Sequence, residues 1–250
     1  MQQILPAAVD DVDVEAVYLA DQREPTEGRP WLVVNMATTI DGATALEGRS
    51  RGIGGPGDRA AFHALRSAAD VVLVGAGTAR AEDYGPVVVP DGHLAARTAA
   101  GRSGPARLAV VSASGSLDPG ARMFSDPERP PLVYTVSETP ASVLDALAAV
   151  AEVVVAGSSR VDPHVVLADL TARSVRCVVC EGGPYLNADL IAAGVVDEWC
   201  WTIGPSLVGG DSNRASVGDW SPEARAFRLD RLLTDGRDLL TRYVAARPDG

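Results

Sequence analysis

The sequence predicts an α/β protein, built on a mostly parallel central sheet that antiparallel C-terminal strands close. Three observations carry this. Runs such as "WLVVNMA" (31–37) and "DVVLVGA" (70–76) are continuously apolar, as strands buried on both faces must be. Helical patterns alternate with these runs, the signature of βα units around a parallel sheet. The tail changes character: "DEWCWTIGPSLVGG" (197–210) and two runs flanking Asp235-Gly236 read as antiparallel strands, with the Asp-Gly pair as the turn.

The elements follow in order. The first 28 residues are acidic with a short helical hint, and read as a loosely attached N-terminal arm. Residues 29–250 then form one domain. Strands are expected at 31–37, 70–76, 107–113, 131–136, 152–157 and 176–182, and helices at 57–69, 139–149, 163–173 and 184–193. The Gly/Pro/Ser-rich stretches 85–106 and 112–130 read as loops. The polar, glycine-punctuated segment after Asn35, running to Gly55, is long for an internal connection and reads as a mobile flap over a site.

Composition excludes several functions. The chain has 250 residues, 46% of them hydrophobic, which is enough for a sizeable core. Its net charge is −11 and no basic run interrupts it, so nucleic acid is a poor partner. All 22 basic residues are arginine, which removes Schiff-base lysines and the P-loop lysine. No window reaches the ~20 apolar residues of a membrane span, and the N-terminus lacks a signal-peptide pattern. A cytoplasmic protein is expected.

Cys177-Val-Val-Cys180 has the spacing of half a zinc site. The remaining Cys200 stands alone, and His63, His93 and His164 are scattered. Residues three apart on a strand point to opposite faces, so the two thiols cannot clasp one ion. No metal is expected.

Two glycine turns carry the chemistry instead. Gly75-Ala76-Gly77-Thr78 follows a buried strand, as does Glu181-Gly182-Gly183-Pro184. Glycine lets backbone approach a ligand, and the helix that follows offers free N–H groups to an anion. Ordinary tight turns use the same residues, and the full G-x-G-x-x-G pattern is absent because Arg80 holds its sixth position. Two such turns at strand ends of one sheet favour a shared crevice for a dinucleotide pyrophosphate. In "PGDRAAFHALRSAAD", Asp58, Phe62, Leu65 and Ala69 share a helix face. A carboxylate there is either a first-turn acid or a ligand contact. Trp199 and Trp201 alternate with Cys200 on a strand; that aromatic face is either core or a dimer contact.

The ordered set N-M-A-T-T-I-D-G, G-R-S-R-G-I, F-H-A-L-R, V-G-A-G-T-A-R-A-E-D, C-E-G-G-P-Y-L and V-D-E-W…P-S-L-V-G-G resembles the C-terminal reductase domain of the bifunctional riboflavin-biosynthesis deaminase–reductase, over roughly residues 30–245. The resemblance implies a stand-alone, three-layer dihydrofolate-reductase-like fold, a homodimer, and NADPH-dependent reduction of 5-amino-6-(5-phosphoribosylamino)uracil or a closely related pyrimidine. It implies that Ala37 meets the nicotinamide carboxamide and that Thr78 and Glu82 help hold the cofactor. Ser112 would lie near the adenosine 2′-phosphate, and Gly182, Gly183, Pro184, Tyr185 and Leu186 along the pyrophosphate beside Gly75 and Gly77. Ser50, Arg66 and Glu181 would face the substrate, with Asp58 and Glu181 as its polar orienting groups and Arg66 on its phosphate. Two places depart from the family pattern: Asn35 stands where a lysine is common, and no arginine follows Asp83 before Arg97. A shorter resemblance, P-G-D-R-A-A-F, is to the pterin-binding helix of dihydrofolate reductases, where Asp58 and Phe62 match the pterin acid and its stacking ring. Pterin reduction is therefore the alternative activity, and non-catalytic NADPH binding the second alternative.

Overall fold

The computed structural model describes residues 1–219 and 224–246. Ten strands form one sheet: β1 (Gln2–Leu5), β2 (Trp31–Thr39), β3 (Val71–Gly75), β4 (Arg107–Val111), β5 (Leu132–Thr135), β6 (Glu152–Val155), β7 (Cys177–Cys180), β8 (Glu198–Gly204), β9 (Phe227–Thr234) and β10 (Leu239–Ala245). Their spatial order is β1-β9-β10-β8-β2-β7-β3-β4-β5-β6. From β8 to β6 every neighbouring pair is parallel, while β10 runs antiparallel to both β8 and β9.

Seven helices cover the faces: α1 (Val14–Ala20), α2 (Pro56–Ala68), α3 (Ala76–Ala81), α4 (Asp91–Ala99), α5 (Ala141–Ala148), α6 (Pro163–Ala172) and α7 (Pro184–Ala192). Strand alternation sorts the core into two layers. Val33, Val72, Val74, Cys177 and Val179 pack with Ala61, Ala64 and Leu65 of α2 and with Tyr18 of α1. Leu32, Val34, Leu73, Val178 and Cys180 pack with Val166, Leu167 and Leu170 of α6 and Leu190 of α7. Cys177 and Cys180 thus lie on opposite sides of the sheet, and burial raises both thiol pKa values to about 12.

Three expectations are corrected. The stretch 85–106 contains α4, which its glycine and proline flanks concealed. Arg97 of that helix is buried and donates to the Ser67 and Ala69 carbonyls, at 2.6 Å each, closing the C-terminal end of α2. Second, β8 is antiparallel as expected to β10 but parallel to β2, because α7 carries the chain back across the sheet before β8 begins.

The third correction concerns the N-terminal segment, which is not loosely attached. β1 adds to the sheet edge beside β9, and Val14 and Tyr18 enter the core. Arg23, 6% exposed, donates from Nε and Nη2 to the carboxylate of Glu198, at 3.2 and 2.8 Å. Asp21, one of the acids of this arm, is an interior partner of Arg23 and of Arg231, which lies far away in sequence. A chain beginning at residue 29 is expected to lose its cooperative melt, followed by circular dichroism. A truncated chain that melts like the intact one would show the segment to be dispensable.

Candidate active site

A cleft of ≈ 690 Å³ opens along the carboxyl ends of the central strands, where open α/β sheets place ligands. Its geometry begins with unequal strand lengths. The β2–β7 ladder stops at Val34↔Cys180, whereas β2 continues to Thr39 beside β8. Asn35, Met36 and Ala37 therefore present a strand edge without a β7 partner to the cleft. Such an edge offers unpaired backbone donors and acceptors to a ligand.

The two glycine turns meet in the centre. The N–H of Gly75 donates to the carbonyl of Gly182 at 2.8 Å, and a Cβ added to Gly183 would stand 2.3 Å from Oγ1 of Thr78. Glycine at 183 is what allows this approach. Gly183 caps α7 without a side-chain hydrogen bond, and Pro184 is the first residue of that helix. The first-turn N–H groups of Tyr185 and Leu186 are then free to serve a ligand at the positive end of α7. A Cβ at Gly77 would meet no protein atom within 4 Å, so the space over this turn is open. A bare strand edge, open glycine turns and a free helix start fit the two ends and the pyrophosphate of a nicotinamide dinucleotide.

Every expected site residue except Gly182 and Arg66 lines this cleft: Ala37, Ser50, Asp58, Phe62, Gly75, Gly77, Thr78, Glu82, Ser112, Glu181, Gly183, Pro184, Tyr185 and Leu186. Gly182 lies just behind, beneath the Gly75 turn. Arg66 lines an adjoining pocket of ≈ 320 Å³, which shares Ser50, Phe62, Glu82 and Tyr84 with the cleft.

Several of these residues are placed otherwise than their expected roles suggest. Glu181, 8% exposed, spends its carboxylate on protein donors. Arg66 reaches it from Nε and Nη2 at 2.7 Å each, and the Tyr84 hydroxyl donates to it at 2.8 Å. The Arg66 guanidinium also lies 4.1 Å from the centroid of the Phe62 ring, a cation–π contact. Glu181 thus holds Arg66 rather than meeting a ligand with a free carboxylate. Glu82 accepts the Ser50 N–H at 2.6 Å and so ties the flap to the end of α3. The flap is fastened elsewhere as well. Ile53 is fully buried, and Asp41 accepts from the Val208 and Gly209 N–H groups at 3.1 and 2.7 Å. Arg97, under α2, stands away from the cleft.

Asp58 is the carboxyl group with the most unusual surroundings. Its side chain folds over Gly54, where an added Cβ would lie 2.3 Å from its Cγ. Burial is the main force raising its pKa above the ordinary aspartate range; a hydrogen bond from Thr202 opposes this, and the nearby Asp238 carboxylate adds to it. Asp238, fully buried, accepts the Gly55 N–H at 2.5 Å. The glycines of "GIGGPGD" therefore let the flap pass between two carboxyl groups. Sequence reasoning missed Asp238, Thr202 and Tyr84 as neighbours of the site, and also Arg160, which lines the cleft from the loop after β6. Only Tyr84, directly after the V-G-A-G-T-A-R-A-E-D motif, carried a local signal.

Comparison with known proteins shows the family. The family model described as the RibD C-terminal domain matches residues 30–241. A 2,5-diamino-6-ribosylamino-4(3H)-pyrimidinone 5′-phosphate reductase of Methanothermobacter thermautotrophicus is 33% identical over 220 residues, covering 86% of this chain and 98% of that protein. The riboflavin biosynthesis protein RibD of Mycobacterium tuberculosis is 31% identical over 222 residues, 87% of this chain but 55% of that longer protein. A solved structure of a pyrimidine reductase-like protein from Corynebacterium diphtheriae superimposes with a TM-score of 0.81 at 30% identity, covering 94% of this chain and 100% of that one.

Proposed function

The chain belongs to the RibD C-terminal domain family, and from that membership and the cleft we propose an NADPH-dependent reductase of a phosphoribosylaminopyrimidine of the riboflavin pathway. The observation that carries the reading is the continuity of the cleft. The β2 edge, the paired glycine turns and the Asp58–Phe62 face of α2 line one uninterrupted space of ≈ 690 Å³.

When bound, the nicotinamide supplies the hydride, which goes to the C=N carbon of the ring-opened ribosyl group; the protein supplies position and charge. Ala37 and its neighbours on the β2 edge hold the carboxamide. Thr78, with Gly75, Gly77 and the turn Gly182–Leu186, holds the pyrophosphate, and Ser112 stands at the adenosine end. Phe62 offers a face to the pyrimidine, and Ser50 a hydroxyl. Arg66, held by Glu181 beside Tyr84, lines the adjoining pocket and meets the substrate phosphate there. Asp58, whose proton affinity burial has raised, hydrogen-bonds the heterocycle and provides the proton that the nitrogen gains.

The experiment is NADPH oxidation by the purified protein with three substrates side by side: the diaminoribosylaminopyrimidinone phosphate, its deaminated uracil counterpart and dihydrofolate. Turnover of either pyrimidine is expected. A second reading, pterin reduction, rests on one observation, the protonatable Asp58 one turn before Phe62 on the cleft wall. Turnover of dihydrofolate alone would establish it and overturn the first. Tight NADPH binding with no turnover would leave a non-catalytic cofactor binder. The proposal includes a cytoplasmic enzyme, consistent with the finding that no described helix is long and apolar enough to cross a membrane. It also includes a homodimer, for which the half-buried Trp199 and Trp201 face of β8 is the candidate contact.

Gly183→Ala is the direct test of the cofactor cradle. The added methyl collides with Thr78 and narrows the space for the pyrophosphate. NADPH affinity is expected to fall at least ~10-fold, about 1.4 kcal/mol, with the fold kept by circular dichroism. Unchanged affinity would remove this turn from the site.

A further inference from the structure

We propose that the Arg160–Asp189 pair, at the end of the cleft remote from Asp58, selects a 2′-phosphorylated adenosine and so decides between the two nicotinamide dinucleotides. This rests on the reading of the cleft above, and adds to it the residues that set coenzyme preference.

The sheet order gives the direction. A dinucleotide with its nicotinamide on β2 and its pyrophosphate over β7 and β3 reaches the end of β4 with its adenosine, three strand spacings of ~4.8 Å away. The cleft there is lined by Ser112 and Ser114. It also changes sign along its length. The carboxylates Asp58, Glu82 and Glu181 line it from the substrate side to the centre, while towards the adenosine side two arginines, Arg80 and Arg160, stand with one carboxylate, Asp189. In a chain of net charge −11, a coenzyme carrying an extra dianionic phosphate needs such local compensation.

The arginine is positioned for it. Nη2 of Arg160 donates to Oδ1 of Asp189 on α7 at 2.7 Å, and the side chain is 70% exposed. Asp189 thus steadies the guanidinium against the helix, while Oδ2 of the exposed Asp219 lies 3.7 Å from Nη1; a phosphate that displaces this exposed carboxylate meets Nη1 and a second N–H of the fork. Arg80 braces the facing loop, donating from Nη1 to the Ser116 carbonyl at 2.7 Å.

Asp189 has a second effect. Proteins that accept the unphosphorylated coenzyme commonly offer a carboxylate to the ribose 2′-hydroxyl. Here Asp189, which also lines the cleft, is covered by Arg160. Removing the guanidinium bares a carboxylate that repels a 2′-phosphate and suits a free hydroxyl. The pair is therefore a charge switch: with Arg160 present the site favours phosphate, and without it the hydroxyl.

The test is calorimetric titration of the full chain with 2′,5′-ADP and with 5′-AMP, beside binding of NADPH and NADH, for wild type, Arg160→Gln and Asp189→Asn. Wild type is expected to bind 2′,5′-ADP and NADPH the more tightly. Arg160→Gln should lose roughly 10–100-fold for these two, as for a charged hydrogen bond, and hold 5′-AMP and NADH unchanged or tighter. Asp189→Asn should keep the preference for the phosphorylated ligands. A preference for phosphate that survives Arg160→Gln overturns the inference. Equal binding of NADPH and NADH by wild type also overturns it, while leaving the reductase reading standing. If wild type binds neither coenzyme, the reading of the cleft falls and this inference with it.

Discussion

Glu198→Ala is expected to lower the stability of the protein by about 3–5 kcal/mol, the cost of leaving buried charges without their partner. For a chain of this size the melting temperature should fall by roughly 6–20 °C. Glu198 is fully buried in β8 and joins Arg23 and Arg242 in an interior ion network. It accepts hydrogen bonds from Arg23, from Nε and Nη2 of Arg242 at 3.0 and 3.1 Å, and from the Trp31 indole at 3.1 Å. Removing the carboxylate leaves the nearly buried guanidiniums of Arg23 and Arg242 with only Asp21 and Asp230 as counter-charges. The effect depends on pH in a defined direction. Although burial alone would raise the Glu198 pKa, Arg23 and Arg242 hold it far below the ordinary glutamate value. Its contribution is therefore complete above the unfolded pKa of ~4.3, and is lost as pH falls below that value towards the folded one. Thermal melts from neutral to acid pH should show wild type losing this increment while the variant, already without it, declines less steeply. Parallel decline of the two, or an unchanged melting temperature at neutral pH, would mean that Glu198 contributes no net stability.

Asp58→Asn is expected to lower kcat/KM by about 10²–10⁴-fold, the usual size of a general-acid contribution, without loosening the fold. The two readouts move in opposite directions for one reason. Burial beside Asp238 raises the Asp58 pKa, so the folded protein resists ionising this group. Its ionised form is a burden: stability is greatest below the unfolded aspartate pKa and diminishes as pH rises through the higher folded value. An asparagine cannot ionise, so at neutral pH the variant should melt at or above the wild-type temperature. Catalysis depends on the same proton. Wild-type kcat/KM should decline as pH rises through the Asp58 pKa, and this limb should be absent from the variant's profile. Wild-type kcat/KM in Asp58→Asn would remove the carboxyl from the chemistry and leave water as the proton source.

Much of the site was legible because its signals are local. The turns at Gly75 and Gly183 are written as a strand, small residues and a helix start within a few positions, and they meet as expected, backbone to backbone across two neighbouring strands. Helical spacing put Asp58 and Phe62 on one face and only the resemblance to a pterin-binding helix gave that face a role; Leu65 and Ala69, assigned to the same face, point into the core. Glu181 and Arg66 were both identified, but not that they bind each other. Helix α4 was hidden because glycine and proline at its flanks resemble loop composition, and the buried Arg97 that closes α2 looks in sequence like any solvent-facing arginine.

The sequence by itself determined the α/β class, the strands β2 to β7, the helices α2, α5, α6 and α7, the two glycine turns and the family, because hydrophobic period and turn chemistry act over short windows and survive being read one segment at a time. Only the tertiary structure decided which charges are partners. Arg23 with Glu198, Arg66 with Glu181, Asp238 beside Asp58 and Arg160 on Asp189 are joined by the order in which strands assemble, and one arginine resembles another until the sheet places a carboxylate against it. An ion pair is selected by distance and by the water excluded around it, and neither exists before the chain has folded.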